Sequence, residues 1–338
     1  MSFQLNKTLT DLLKYYIILK AIHIFYKMTT KYGPISNLIS RKTSLLDTFS
    51  TSSPNKSNRS TWAAVTGASS GIGRAYALAL ASQGFNLILI ARRRERLLAL
   101  ATHLKDTYNV ETHIVVSDLS KLNSTNTKDL VDQITKSDIY SNRNIVSNLD
   151  VGILICNAGI SDVNYSFTNE PIHRTEAMVM TNCTSLALLV HEFLPRLEQR
   201  MTRSSSNFTC TSSAIITSGA LNSDLPLVSN SLSSGTKAFV RNFTLSVNET
   251  TPVEMLCGHP LAVESEILEV KSDGFWILNA KDYVTGVLNT LRKGGTRETY
   301  SVWQHELIHE SLLLWPTIVI LKGSRACTKW FADMVSKE

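Results

Sequence analysis

The stretch TGASSGIG, residues 66–73, places Gly67, Gly71 and Gly73 in one short loop. Those residue types suit a particular chemistry. A pyrophosphate is held where the backbone can approach closely, and its charge is met by amides at the start of a helix. Side chains at the three glycine positions would block that approach. Ser69, Ser70, Ile72 and Arg74 complete the loop and join the predicted cofactor-binding set. Nineteen residues past Gly73 the chain reads Ala91-Arg92-Arg93-Arg94. A cofactor with a free ribose 2′-hydroxyl needs a carboxylate near this point, whereas guanidinium groups suit a 2′-phosphate. Arg92 and its neighbours therefore predict NADP over NAD, and Arg74 could add to the same phosphate site. Cys156, Cys183, Cys210, Cys257 and Cys327 are scattered singly, with no paired spacing. No metal centre is expected, and reduced thiols in a cytosol-facing protein are the simplest reading.

The elements around the loop must position it. TWAAVTGAS is a short apolar run ending in glycine, which predicts a strand, and GIGRAYALALASQG predicts a helix closed by Gly84. FNLILIA, ETHIVVSD, LDVGILICNAG, SAIIT and VEMLCGHP predict further strands. Helical stretches lie between them, one near Glu176 to Arg200 and one after Ser233. Strands alternating with helices imply an α/β chain with a Rossmann-type, doubly wound parallel sheet. The boundaries expected are a basic apolar segment at 1–47, a polar linker at 48–60, one cofactor-binding domain at 61–300 and a C-terminal helical extension at 301–338. The Ser- and Thr-rich piece from Thr202 to Ser213 reads as an insertion loop.

The chain has 338 residues, 43% apolar and 18% charged, a globular composition with a substantial core. Its net charge of +6 is uneven: residues 1–60 hold nine Lys or Arg against two Asp, so the rest of the chain is about neutral. That balance argues against nucleic acid as a partner and for a basic N-terminal arm. Residues 9–29 form an apolar helical stretch interrupted by Lys14, Lys20 and Lys27. Lys20, Lys27 and Lys31 share one helical face, which reads as a helix lying in a membrane interface. A helix packed on the protein's own surface is the competing reading. ESLLLWPTIVIL, residues 310–321, is too short to span a bilayer and is broken by Pro316.

The loop at 66–73, Asp118 in SDLS, CNAG at 156–159, Asn182 and Lys237 together resemble the short-chain dehydrogenases/reductases. The resemblance covers about residues 60–265. DTYNVETHIVVSDLS, LDVGILICNAG and the apolar N-terminal extension are similar to one branch of that family. That branch holds very-long-chain 3-oxoacyl-CoA reductase, type 12 17β-hydroxysteroid dehydrogenase and inactive hydroxysteroid dehydrogenase-like proteins. The resemblance implies NADP(H), a lipid or steroid ketone as small-molecule substrate, and a cytosol-facing place at the endoplasmic reticulum membrane. A homodimer is also within what it implies. It further implies that Asp118 contacts the adenine, that Asn157, Ala158 and Gly159 lie beside the cofactor, and that Asn182 belongs to a proton relay.

The family protonates the developing alkoxide from a tyrosine four residues before its lysine, and the lysine brings the phenol from a pKa of about 10 towards working pH. Here the lysine is Lys237 and the position four earlier is Ser233. A serine alcohol is a far weaker acid. No tyrosine occurs between Tyr165 and Tyr283, so no register slip hides one nearby. The family's catalytic serine position falls on Ala220; Ser218 is the better replacement and Ser213 the second. Pro260 lies in an altered form of the turn that contacts the nicotinamide, with Glu264 and Ser265 beyond it. Three readings follow: an NADP-binding protein with turnover weak or lost, a reductase relaying its proton through water or a serine, and a membrane scaffold that binds cofactor only for stability.

Overall fold

The computed structural model describes residues 2–32, 43–50, 61–137, 147–161, 167–202, 212–227, 230–264, 277–313 and the single positions 272 and 323. Seven strands form one sheet: β1 (Thr61–Thr66), β2 (Asn86–Ala91), β3 (Thr112–Val116), β4 (Asp150–Cys156), β5 (Ala214–Ser218), β6 (Glu254–Gly258) and β7 (Glu298–Thr299). They lie in the order β3-β2-β1-β4-β5-β6-β7, and every neighbouring pair is parallel. The sequence order reverses between β1 and β4. At such a switch point the strand ends open a crevice, and ligands bind there.

Helices cover both faces, which is why the central strands are apolar throughout rather than alternating. All six residues of β1 and of β2 are buried. Ala63, Val65, Leu87 and Leu89 point to one face, where they pack with α3 (Gly71–Ala81), α4 (Arg94–Tyr108) and α8 (Ala280–Lys293). Trp62, Ala64, Ile88 and Ile90 point to the other, against α5 (Thr127–Thr135), α6 (Ile172–Thr202) and α7 (Ser231–Asn248). Gly84, at φ +89°, lets the chain turn from α3 into β2 as expected.

Two further helices lie outside this frame. The N-terminal helix α1 runs Ser2–Lys31 and the C-terminal helix α9 runs Trp303–Leu312. A short helix, α2 (Leu45–Phe49), was not foreseen; Ser44 caps it and Leu45, Leu46, Thr48 and Phe49 are buried. Thr48 and Phe49 thus sit inside the fold, although composition placed them in the linker. The rest of that linker, residues 51–60, lies outside the described residues, as do most of the expected insertion loop, Ser265 and residues 314–322. Arg200, itself buried, ties α2 to the sheet by donating to the Phe49 carbonyl at 2.6 Å and the Asp150 carboxylate at 2.6 and 3.0 Å.

Candidate active site

The glycine loop packs against the turn that follows β4. Gly67 and Gly71 have φ of +69° and +52°, the region glycine favours. A Cβ on Gly73 would stand 2.2 Å from the Gly67 carbonyl oxygen and 2.7 Å from Asn157 Nδ2, so this position admits hydrogen alone. Thr66, the last residue of β1, accepts from the amides of Asn157 and Ala158 at 2.9 and 3.0 Å and donates to the Ile155 carbonyl at 3.1 Å. Asn157 Nδ2 donates to the Thr66 carbonyl at 3.3 Å. These bonds hold the two loops edge to edge, leaving the N-terminal amides of α3, with Ser69, Ser70, Ile72 and Arg74, at the mouth of the crevice.

Of the three arginines after β2, it is Arg93 that turns towards this loop. Its Nη2 donates to Ser70 Oγ at 2.7 Å and its Nε to Ser69 Oγ at 3.4 Å. Arg92, Arg93 and Arg94 are all exposed. The sequence reading named Arg92; Arg93, the residue that precedes the first turn of α4, is the one that hydrogen-bonds the loop serines. Asp118 caps a short turn at Leu119–Lys121, accepting from the Ser120 amide at 3.1 Å and hydroxyl at 2.8 Å.

Asn182, Ser218 and Lys237 come together on the β4 side. Asn182 sits in a π-helical turn, Met180–Thr184, inside α6. Such bulges are common at functional sites because they re-aim one side chain. Asn182 is buried; its Oδ1 accepts from the Ile160 amide at 2.9 Å, and its Nδ2 donates to the Ile160 carbonyl at 2.8 Å and to Thr236 Oγ1 at 3.0 Å. Lys237 Nζ donates to the Ser218 carbonyl at 2.7 Å. Burial pushes the Lys237 pKa down to about 8, although nearby Cys257 and Cys183 oppose the shift. A Cβ on Gly159 would lie 3.4 Å from Asn182 Oδ1 and 3.6 Å from Lys237 Nζ, so both groups converge on that glycine. Ser218 Oγ donates to Asn157 Oδ1 at 3.4 Å. Ser213 lies just before the opposite end of β5, where Arg200 donates to it at 3.3 Å.

Ser233 is buried in the first turn of α7, one turn before Lys237. Its hydroxyl accepts from Asn222 Nδ2 at 3.5 Å. A small cavity is bounded by Thr66, Asn182, Ser185, Ser218 and Lys237, of about the size that holds one water. Neither Ser233 nor any tyrosine is among the described residues lining it. Sequence reasoning missed His259, which follows β6. It is fully buried, and its Nδ1 stands 3.2 Å from the Ala220 carbonyl. A lone histidine before Pro260 carries no periodic signal that could have revealed this.

The short chain dehydrogenase family model matches residues 61–271, more than half of the chain. The chain belongs to the short-chain dehydrogenase family. Among curated relatives of this short-chain dehydrogenase, the very-long-chain 3-oxoacyl-CoA reductase of Yarrowia lipolytica is 28% identical over 319 residues, covering 90% of this chain and 78% of the relative. The protein of the same name from Scheffersomyces stipitis is 28% identical over 259 residues, covering 73% and 70%. Among solved structures, a short-chain dehydrogenase from Sphingobium yanoikuyae in complex with NADPH is 26% identical, with a TM-score of 0.55 over 68% of this chain and 83% of that one.

Proposed function

We propose that this short-chain dehydrogenase binds NADP(H), is related to reductases of 3-oxoacyl-CoA or steroid ketones, and reduces ketones weakly or not at all. One observation carries the reading: the position one turn before Lys237 is a buried serine turned to Asn222, and no described tyrosine lines the cavity at Lys237. The cofactor half supports binding. The glycine loop, the Asn157 turn and Arg93 beside Ser69 and Ser70 form a cradle for a phosphorylated dinucleotide. NADPH bound there would supply a hydride. Asn182 and the Lys237 ammonium can orient and hold a proton at the β4 edge, but among the described residues no tyrosine lines the cavity there to pass it to an alkoxide.

A second reading has its own support. The cavity between Lys237, Asn182 and Ser218 suits one water, which could relay a proton at reduced rate. The test places wild type, Ser233→Tyr and Lys237→Ala side by side with NADPH and a panel of 3-oxoacyl-CoA thioesters and 17-keto steroids. The first reading expects little or no turnover in wild type and at most a small gain in Ser233→Tyr. Robust wild-type turnover that disappears in Lys237→Ala would establish the second.

A membrane surface is the proposed environment, and the endoplasmic reticulum the proposed location. Support comes from an inverted polarity. On α1, Tyr15, Tyr16, Ile18, Leu19, Ile22, Phe25 and Tyr26 are exposed, while Lys27 and Lys31 turn inward. On α9, Trp303 and Leu307 are exposed, while His305, Glu306, His309 and Glu310 are buried. Helices in contact with lipid keep their charges towards protein and their aromatic groups at the interface. Lys27 and Lys31, expected to meet lipid headgroups, instead meet the protein's own carboxylates. Among the described residues, the helix long and apolar enough to cross a membrane is α6, which packs in the core and carries Asn182.

A further inference from the structure

We infer that the N-terminal helix is docked into a buried ionic relay that positions residues 218–224, so that docking of α1 and order in the Ser218 segment are one coupled equilibrium. The relay begins where α1 meets α9. Lys27 Nζ lies 2.8 Å from Glu306 and 2.5 Å from Glu310, Lys31 Nζ lies 2.5 Å from Glu306, and the Tyr32 hydroxyl donates to Glu306 at 2.7 Å. Glu306 and Glu310 are both buried. Burial alone would raise the Glu306 pKa, but Lys31 and Lys27 hold it below the usual carboxylate range. Lys31 also donates to the backbone carbonyl of Glu298 at 3.1 Å.

Glu298 passes the contact inward. Its carboxylate accepts from Arg241 Nε at 2.8 Å and Nη2 at 3.2 Å and faces His259 Nε2 at 3.4 Å. Arg241 Nε also lies 3.1 Å from Asp224, which takes His309 Nε2 at 3.0 Å and the Tyr300 hydroxyl at 3.4 Å. The rings of His259, Tyr300 and His309 stack in a column, with centroids 4.9 and 4.3 Å apart. The Ser218 segment is therefore gripped at two points, Ala220 by His259 and Asp224 by Arg241 and His309. Its other end carries Ser218, whose carbonyl holds Lys237. Undocking α1 removes two cations from a pocket that keeps two buried carboxylates. Buried charge without a counter-charge is strongly unfavourable. The pocket would have to open through α9, and α9 carries His309.

The coupling requires neither turnover nor a membrane, so it is tested separately from the proposed function. Amide exchange in the full chain reads it directly, because Gly219, Leu221 and Ser223 donate backbone hydrogen bonds inside the segment and to its neighbours. Lys27→Ala/Lys31→Ala is expected to speed exchange in residues 218–224 at least tenfold while β1 and β2 stay protected. Arg241→Met is expected to loosen the same segment with α1 still protected. Glu306→Gln, which removes the carboxylate shared by Lys27 and Lys31 without altering shape, carries the test if the double variant fails to fold, and it is expected to speed exchange in residues 20–31 and 218–224 together. Fast exchange in residues 20–31 with wild-type protection at 218–224 would overturn the inference. So would a loss of protection spread equally over β1 and β2, which signals global destabilisation.

Discussion

Arg93 and Lys237 show how much a single side chain's surroundings decide. Three consecutive arginines announced a phosphate site, but only the turn into α4 aims Arg93 at Ser69 and Ser70. Charged hydrogen bonds contribute about 1.5–3 kcal/mol. Arg93→Ala should therefore weaken NADPH binding by roughly tenfold or more and leave NADH nearly unchanged, whereas Arg92→Ala should have a small effect. Fluorescence titration of both cofactors distinguishes the two. Lys237 was legible as a position and not as an environment, since the depth of its ammonium depends on strands distant in sequence. Its pKa falls from 10.5 to about 8 through burial. Between those values the unfolded chain binds more protons than the folded one, so this group makes the fold more stable as pH rises from about 8 to 10.5. Thermal melts of wild type and Lys237→Met across that window should diverge in that direction. Parallel pH profiles would show that Lys237 keeps its ordinary pKa.

The glycine loop is the element that sequence described best, because its chemistry demands a residue type and the strand before it and helix after it supply the context. Gly73→Ala should reduce NADPH affinity at least tenfold and destabilise the fold by about 1–3 kcal/mol, as overpacking does. The added Cβ would meet the Gly67 backbone, which cannot move aside as a side chain could, as well as Asn157 Nδ2. Denaturant unfolding together with cofactor titration measures both effects, and an unchanged variant would mean the loop has room that its geometry denies. The strand and helix alternation was legible for the same reason that β1 and β2 are buried on both faces: their apolar runs are continuous. Three features were not. The π turn around Asn182 follows from helix packing, and nothing in MTNCT signals it. Helix α2 has one phenylalanine beside a Ser- and Thr-rich run, too little periodicity to separate it from a linker. Strand β7 has two residues and exists because β6 offers it an edge.

At the scale of the whole molecule, the two halves of the site differ in kind. The half built on β1, β2 and α3 packs Gly67 and Gly73 against the Asn157 turn and sets Arg93 beside Ser69 and Ser70. The half built on β5 and α7 brings Ser218 and Lys237 together with Asn182 and buries Ser233 one turn before Lys237. Ser233 and Lys237 were legible as positions in the sequence, but the buried network joining α1, α9, β7 and the Ser218 segment needed the fold, because its members are spread from Lys27 to Glu310. As proposed, the protein holds NADPH in a site without an acid to complete the reduction. One measurement tests it most directly: the purified full-length protein is titrated with NADPH, and NADPH oxidation is then followed with the ketone panel at saturating cofactor. Saturable binding that favours NADPH over NADH is expected, with turnover absent or about 10²–10⁴-fold below that of an enzyme with a positioned acid. Turnover near the common enzyme value of about 10 s⁻¹, lost in Lys237→Ala, would contradict it.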